Sequence, residues 1–394
     1  RNFIQPVKGY NKHFGHFILA HNGNINKLDK IIKDFNLDLE FDELLNLNDS
    51  KLLVKILENS ELNLSETLQD MISRINGVFS LIIFSFKEER LYCLKDKFGV
   101  RPLSVSKKDN NYLVSSEYLH ENEYNFVREL NAGEIVTIDN SGFNSIFLFN
   151  NTSLQKCIFE YIYFMRPNAM ISYDFDDKKI VKDVRINFGE ELARKENYII
   201  NNKNNKNRKN IVVIGAPNTG IPIGEAFARS LDLEYKQFMK KRLGNNRSFI
   251  LKSNKTRQEE CRNKFIIDKS LLDKDNTVKN KNNNLKNKIV FFVDDSLVRG
   301  NTIKIIIEIL KELEPKEIHF RIASPKVISP CYFGIDIPSK EELVMNHFTE
   351  DEFCKVYNID SLSFLTLEEM SYAIKKFNGS DISNYCTGCF SKKY

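Results

Sequence analysis

The chain has 394 residues, a length that favours two domains because one hydrophobic core stops growing at about 250–300 residues. Its 58 basic and 53 acidic side chains leave a net charge of +5, and no basic stripe interleaved with aromatic residues indicates a nucleic-acid partner. No apolar run reaches the ~18–20 residues of a membrane span. The seven cysteines, an odd number, are more typical of a cytoplasmic protein than of a disulfide scaffold, so we expect a cytoplasmic location.

Strand-like runs and turn signals alternate along the first 145 residues or so. Alternating apolar residues and β-branched content predict strands at 16–22, 77–86, 90–96, 111–116 and 134–139. Apolar residues at helical spacing predict helices at 26–35, 50–58 and 65–73. The pattern predicts two sheets with helices outside them.

The second half alternates strands with helices. The apolar runs 211–215 and 289–293 are each followed by a helical pattern, at 221–231 and 303–313. This order predicts βαβ units and a mostly parallel sheet. The pattern changes near 147–155, so we predict domains at 1–150 and 151–394.

Two Asn/Lys-rich tracts, 201–210 and 274–288, interrupt the second domain. They contain almost nothing to bury, and we predict solvated insertions without fixed structure.

Residues 289–302, IVFFVDDSLVRGNT, form a strand, an acidic pair, a glycine-containing loop and a helix start. The carboxylates of Asp294 and Asp295 suit ribose hydroxyls or Mg²⁺. The backbone N–H groups of the helix start favour an anion, and Ser296, Arg299, Asn301 and Thr302 add donors and positive charge. An ordinary strand–turn–helix with an acidic turn is the alternative.

This run resembles the phosphoribosyl pyrophosphate (PRPP) signature of phosphoribosyltransferases, and its DDSxVRG form is similar to that of glutamine PRPP amidotransferases. The resemblance implies that Asp294 and Asp295 bind the ribose and influence Mg²⁺. It implies that the 5-phosphate is held by the following loop, namely Ser296, Val298, Arg299, Gly300, Asn301 and Thr302.

Two further segments of the transferase half are similar to the same family. The turn 217–220 resembles the turn that brackets the pyrophosphate, and Thr219 falls in it, although Asn218 and Gly220 replace the family's acidic residue and serine. The segment 238–250 resembles the loop that closes over PRPP. There the resemblance implies that Lys240, Arg242 and Arg247 neutralise the departing pyrophosphate.

The chain contains Cys386-x-x-Cys389, a spacing that alone is equally compatible with zinc, a redox pair or coincidence. Cys157 and Cys331 also lie in stretches similar to the iron–sulfur branch of the family. The resemblance implies that these four thiols hold a [4Fe–4S] cluster. Cys93, Cys261 and Cys354 have no such context, and we predict core or incidental thiols.

The first half resembles a glutaminase with an N-terminal nucleophile. In AHNGN the resemblance makes Asn22 and Gly23 the oxyanion hole, although NG is also a common hairpin turn. In NDSKLL it makes Asp49 the residue that holds the glutamine amino group. The family's nucleophile is a Cys at the first position of the mature chain. This chain begins with Arg1 in a segment that looks like a later part of the family, so we expect its N-terminal end to be missing.

The resemblance covers nearly the whole chain outside the Asn/Lys-rich tracts. It implies a glutaminase sandwich (two sheets flanked by helices) followed by a type I phosphoribosyltransferase domain. The expected activity is that of a glycosyltransferase of purine biosynthesis, converting glutamine, PRPP and water into 5-phosphoribosylamine, glutamate and pyrophosphate. Mg²⁺ and a [4Fe–4S] cluster are the expected cofactors, purine nucleotides the feedback inhibitors, and a homodimer or homotetramer the assembly.

Three alternatives remain open. The first is an ammonia-dependent phosphoribosyltransferase with a degenerate glutaminase. The second is a regulator that binds PRPP or nucleotides without turnover, and the third is an iron–sulfur redox protein.

Overall fold

A computed structural model describes most of the chain. The described residues are 4–119, 123–150, 152, 154–174, 177–196, 206–237, 239–241, 265–267, 285–335, 337, 339–379 and 381–394. No helix in these ranges is long and apolar enough to cross a membrane.

The first half contains two antiparallel sheets, as predicted. Its strands are β1 Val7–Asn11, β2 Gly15–Asn24, β3 Val78–Ser85, β4 Arg90–Lys95, β5 Ser104–Lys108, β6 Asn111–Ser115, β7 Asn125–Glu129, β8 Glu134–Asp139 and β9 Gly142–Leu148. Six of them pair in the order β1-β2-β3-β4-β8-β9, and three in the order β6-β5-β7. A small apolar cluster that includes Cys93, Leu103 and Val136 joins β4, β8 and the three-stranded sheet, which confirms Cys93 as a core thiol.

The helices of the first half all lie between β2 and β3 in the sequence. They are α1 Leu28–Asp34, α2 Phe41–Leu45, α3 Asp49–Asn59 and α4 Leu64–Arg74. Helices α3 and α4 begin at the asparagine caps Asn48 and Asn63, whose side chains accept N–H bonds from the first turn. The buried faces of these two helices pack with residues of β2 and β3 such as Phe17 and Phe79 into one core.

The second half begins with short elements and then builds the parallel sheet. Its elements are β10 Lys156–Cys157, a π-helix Glu160–Phe164, β11 Met170–Asp174, β12 Asp177–Ile180, α5 Val181–Arg194, a 3₁₀ helix Lys206–Asn210, β13 Ile211–Gly215, α6 Gly220–Leu231, β14 Glu234–Tyr235, β15 Met239–Lys241, β16 Phe265–Ile267, β17 Ile289–Asp294, α7 Asn301–Glu312, β18 Glu317–Ile322, 3₁₀ helices Lys340–Glu342 and Val344–Asn346, α8 Glu350–Tyr357, β19 Ser361–Phe364, α9 Leu367–Asn378, a 3₁₀ helix Ile382–Asn384, β20 Tyr385–Cys386 and α10 Gly388–Ser391.

Five strands form a parallel sheet in the order β14-β13-β17-β18-β19. Its central strands are buried on both faces, which explains their continuous apolar sequences. Successive side chains alternate between two cores: Phe291 packs in one, and Val290 and Phe292 in the other. The predicted parallel sheet is therefore confirmed.

The prediction that the Asn/Lys-rich tracts lack structure is wrong at their C-terminal ends. Lys206–Asn210 forms a 3₁₀ helix that leads into β13, and Arg208 donates a hydrogen bond to the carbonyl of Leu231. Leu285 is fully buried, and Lys288 Nζ donates to the Lys209 carbonyl at 2.8 Å. These ends are structured because each leads directly into an inner strand of the parallel sheet, β13 or β17. The other residues of both tracts lie outside the described residues.

Candidate active site

The acidic pair lies where β17 ends at the carboxyl edge of the parallel sheet. Asp294 is the last residue of β17, and its carboxylate accepts the Asp295 N–H at 2.8 Å. Burial raises the pKa of Asp294 well above its usual range, and the neighbouring charge of Asp295 raises it further. Two adjacent acids, one half-buried and one buried, favour a ligand that brings positive charge or hydroxyl donors.

Asp295 connects this edge to the preceding βα turn. Its side chain is 4% exposed and accepts hydrogen bonds from the hydroxyls of Thr219 and Ser296. The Ser296 hydroxyl is thus directed to Asp295, whereas the sequence suggested a phosphate donor. The structure brings Thr219, Asp294 and Asp295 together, as the resemblance implied.

Helix α7 begins directly after the loop. Gly300, at φ 78°, is its N-cap, and no side chain caps the first turn. The helix starts at Asn301, so Asn301 and Thr302 offer uncapped backbone N–H groups that could hold an anion. The Arg299 Nε donates to Glu342 Oε2 at 3.0 Å, and the Val298 carbonyl accepts the Val344 N–H at 3.0 Å. These two contacts fix the loop.

Gly220 is required by close packing. A Cβ at this position would lie 2.7 Å from the Val293 carbonyl oxygen and 2.8 Å from the Ala216 Cβ. The start of α6 therefore approaches β17 more closely than a serine would permit. This geometry explains the glycine where the resembling family has a serine.

The predicted closing loop is only partly within the described residues. Lys240 lies on β15, opposite Ile266 of β16, and its side chain is exposed. Arg242 and Arg247 lie outside the described residues, so their roles stay predictions.

In the first half, Asn22 and Gly23 do not form a hairpin turn. They lie in β2, opposite Ser80 and Phe79 of β3, which excludes the alternative that HNGN is an ordinary NG turn. Gly23 has φ 155°, and a Cβ there would lie 2.0 Å from the Val78 carbonyl oxygen. The glycine is needed because the two strands approach each other so closely.

Asp49, the first residue of α3, lies near this part of β2. Its Oδ2 is 3.8 Å from the Nδ1 of His21, which is adjacent to Asn22 in the chain. The structure therefore brings the three predicted glutaminase residues, Asn22, Gly23 and Asp49, to one place.

The four candidate cluster cysteines also share one region. Cys157 of β10 lies opposite Cys386 of β20 in a parallel pair, and Cys389 follows on α10. Burial raises the pKa of the Cys389 thiol, and the nearby thiols of Cys157, Cys331 and Cys386 raise it further. All four are free thiols. Within the described ranges, however, no group of three His, Cys, Asp or Glu residues is arranged to hold a metal ion.

The two carboxylates fit the implied Mg²⁺ better than the four thiols fit the implied [4Fe–4S] cluster. Four thiols suit an iron–sulfur cluster, although the thiols are not in a ligating arrangement. For Mg²⁺, the absence of a larger acidic group among the described residues is no obstacle, because this ion is commonly held by one or two carboxylates together with substrate phosphates. Asp294 and Asp295 provide those carboxylates.

Comparison with known proteins agrees with this geometry. A glutamine amidotransferase domain model matches residues 3–120, and a phosphoribosyl transferase domain model matches residues 186–325. The chloroplastic amidophosphoribosyltransferase of Vigna aconitifolia is 32% identical over 402 residues, which span 99% of this chain and 74% of that protein.

The chain belongs to the amidophosphoribosyltransferase family.

A second family member, from Methanocaldococcus jannaschii, is 29% identical over 401 residues, covering 97% of this chain and 77% of its own length. The structure of the B. subtilis glutamine PRPP amidotransferase complexed with ADP and GMP superimposes with a TM-score of 0.79 at 26% identity. It covers 99% of this chain and 80% of that one. The predicted fold, a glutamine amidotransferase part followed by a phosphoribosyltransferase part, is confirmed, and family membership makes the chain a glycosyltransferase.

One residue near the family's glutaminase motif was missed by sequence reasoning. The His21 ring is almost fully buried, and its Nδ1 is 3.1 Å from the Ser50 hydroxyl. Burial lowers the pKa of His21, despite the opposing effect of Asp49, so the ring is neutral near pH 7. Its position directly before Asn22 was the available signal.

Proposed function

We propose that this protein catalyses the amidophosphoribosyltransferase reaction: glutamine, PRPP and water give 5-phosphoribosylamine, glutamate and pyrophosphate, the first committed step of purine synthesis. The observation that carries the proposal is the Asp294–Asp295 pair at the carboxyl end of β17, joined to the preceding βα turn by the Thr219 hydrogen bond. In open parallel sheets, ligands bind at this edge.

In the transferase half, Asp294 and Asp295 accept hydrogen bonds from the ribose hydroxyls and orient C1. The loop from Ser296 to Thr302, with the start of α7, holds the 5-phosphate. Ammonia forms the new C1–N bond as the C1–O bond breaks. Pyrophosphate leaves with the bonding electron pair, and the new amine releases a proton. Lys240, Arg242 and Arg247 neutralise the leaving group.

Mg²⁺ would be held by Asp294 and Asp295 together with PRPP, and when bound it supplies positive charge for the phosphate oxygens. The raised pKa of Asp294 supports a cation at this position, because a positive ion is what permits both neighbouring acids to ionise.

In the glutaminase half, Asn22 and Gly23 stabilise the oxyanion that forms when the family's cysteine thiol attacks the glutamine amide carbon. Ammonia leaves as the C–N bond breaks, and water then releases glutamate from the thiol. Asp49 holds the amino group of glutamine. Neutral His21, in contact with Ser50 and close to Asp49, keeps the start of α3 beside β2.

Cys157, Cys331, Cys386 and Cys389 would hold a [4Fe–4S] cluster in a structural role, and small shifts of the thiols would be needed for ligation. The proximity of these free thiols to the β10–β20 pair supports the proposal, and two of them, Cys157 and Cys389, are buried.

The remaining parts of the proposal rest on family membership. They are a homodimer or homotetramer and inhibition by purine nucleotides. A cytoplasmic location is proposed from the odd number of cysteines in the sequence, and a domain boundary is proposed that divides the chain into 1–150 and 151–394. The ADP and GMP in the related B. subtilis structure support nucleotide inhibition, and the end of the first antiparallel sheet at Leu148 supports the boundary.

The first experiment measures pyrophosphate release from PRPP and Mg²⁺ by anaerobically purified protein, with ammonia and glutamine as alternative donors. Turnover with both donors supports the full reaction, and turnover with ammonia alone supports the transferase half only. A folded protein that binds PRPP and turns over neither donor would overturn the proposal in favour of a non-catalytic regulator.

A further inference from the structure

A short segment of the transferase half, Tyr332–Gly334, contacts the glutaminase strand that carries Asn22 and Gly23. The side-chain amides of Asn24 and Asn26 both donate to the Tyr332 carbonyl, at 3.0 Å and 2.6 Å. Asn24 also donates to the Asn26 side-chain oxygen at 2.9 Å. Two amides that converge on one carbonyl oxygen define the position of the end of β2 relative to this segment.

Gly334 then packs against the backbone of Gly23. A Cβ on Gly334 would lie 2.7 Å from the Gly23 carbonyl carbon and 2.8 Å from its oxygen. Gly334 also has φ 93°, a conformation that favours glycine. A side chain at 334 would therefore push directly on the peptide that follows Gly23.

Gly23 also packs closely against its neighbouring strand. A Cβ on Gly23 would lie 2.0 Å from the Val78 carbonyl oxygen of β3. The Gly23 backbone therefore has close contacts both with β3 of its own domain and with Gly334 of the other.

Arg101 forms the third part of this contact. Its guanidinium Nη2 would lie 3.1 Å from a Cβ at Gly334, and its Nη1 donates to Glu160 Oε1 at 2.8 Å. Both partners of this ion pair are less than 9% exposed. A buried charge pair holds its members in place because moving either one leaves an uncompensated charge.

The segment itself is fixed within the transferase half. The Phe333 N–H is 3.3 Å from the Cys331 sulfur, and the Phe333 ring packs edge-on against Tyr394, with centroids 5.3 Å apart. Just upstream, the N–H groups of Ile328 and Ser329 donate to the Cys389 carbonyl at 2.9 Å and 3.1 Å. The segment can therefore act as a fixed support.

We propose that Tyr332–Gly334 is a positioning element for the glutaminase, and that the transferase half, through the Gly23 carbonyl, sets the position of the Gly23 backbone and hence of its N–H. The inference rests on the proposed function for the role of Gly23 in the oxyanion hole, but the contact itself does not. Oxyanion stabilisation depends on donors held close to the required geometry. Displacing this peptide is expected to impair glutamine hydrolysis while leaving transfer of free ammonia intact.

The first test compares Gly334→Ala with Gly379→Ala. Both glycines have positive φ, but an added Cβ at Gly379 meets nothing within 4 Å, so the control carries the backbone strain without the contact. Amide hydrogen exchange across residues 17–27 is the readout. We expect exchange on the order of tenfold faster in Gly334→Ala only. Equal exchange in both variants would overturn the inference.

The second test compares Asn26→Asp with Asn59→Asp. Asn26→Asp replaces a donor to Tyr332 with an acceptor of the same shape. Asn59→Asp removes a comparable bond, from Asn59 Nδ2 to the Lys55 carbonyl at 2.9 Å, on an exposed helix end. In a form of the protein that carries the family's N-terminal cysteine, we expect Asn26→Asp to lower the glutamine-dependent kcat by about 100-fold. The glutamine KM and the ammonia-dependent kcat should stay near the wild-type values.

The outcomes distinguish a failure of the positioning role from a failure of the proposed function. A parallel loss of glutamine-dependent and ammonia-dependent turnover would indicate general damage to the fold and overturn the positioning role. If the unmodified protein shows no glutamine-dependent turnover, the glutaminase half of the proposed function fails, and hydrogen exchange alone then decides whether Tyr332–Gly334 fixes β2.

Discussion

The hydroxyl of Thr219 donates a hydrogen bond to the carboxylate of Asp295, and the two residues are 76 positions apart in the chain. This bond joins the turn after β13 to the loop after β17, so the two parallel strands present one shared binding edge. The first prediction tests that edge.

Asp295→Asn should abolish phosphoribosyl transfer and leave the fold intact. The amide retains the shape but loses the charge that would hold ribose hydroxyls and Mg²⁺, and we expect ammonia-dependent kcat/KM to fall by at least about 100-fold. Asp109→Asn, on an exposed turn at φ 53°, is the matched control. Turnover near the wild-type rate in Asp295→Asn would remove the site assignment.

Asp294→Asn should stabilise the protein while it inactivates it. The folded-state pKa of Asp294 is raised, so the folded state binds more protons than the unfolded state above the ordinary Asp pKa of about 4. Stability from this group is therefore greatest below that pH and declines as pH rises through the folded-state pKa.

The neutral amide of the variant removes the free-energy cost of ionising Asp294 in the folded state. Thermal unfolding without PRPP or Mg²⁺ should show Asp294→Asn to be more stable than wild type by about 0.5–2 kcal/mol at pH 7–8, with the difference shrinking toward pH 4. A destabilised variant at pH 7–8 would contradict the raised pKa.

Gly220→Ser should destabilise the transferase half by about 1–3 kcal/mol, because the added atoms press on Val293 and Ala216. Urea unfolding provides the measurement, with the unmodified protein as the reference. An unchanged midpoint in Gly220→Ser would show that α6 can retreat from β17 without cost.

Cys386→Ser should prevent cluster assembly, because a serine hydroxyl is a poor substitute for a thiolate ligand of iron. Iron and acid-labile sulfide in anaerobically purified protein are the readouts. Cys354→Ser, on α8 and outside the four-thiol region, should keep the wild-type content. Full iron and sulfide in Cys386→Ser would exclude the ligand role.

Local sequence patterns predicted the longer, strongly patterned elements, such as β2, β3, α3 and α4, but not the shortest strands, such as β10, β14 and β20. Continuous apolar runs identified β13 and β17 because both faces of these strands are buried. Helix α2 was missed because it is short and none of its residues is buried, so it has no apolar face that periodicity could reveal.

The candidate site was predictable only where its residues are contiguous. Asp294 and Asp295 fall in one motif, whereas the contact between Asn26 and Tyr332 joins residues 306 positions apart. The acceptor is a backbone carbonyl, which every residue has, so the residue type at 332 does not reveal the contact. The glycine at 334 was a visible signal, but what it approaches depends on how the two halves dock.

The pairing of Cys157 with Cys386 also has a consequence for how the protein is made. Strand β20 and Cys389 follow every strand of the parallel sheet in the sequence. During translation, Cys157 therefore leaves the ribosome long before its partner strand exists, and the four thiols meet only after the transferase sheet has been synthesised. On the proposed cluster assignment, iron and sulfide can bind to all four thiols only after Cys389 has been synthesised.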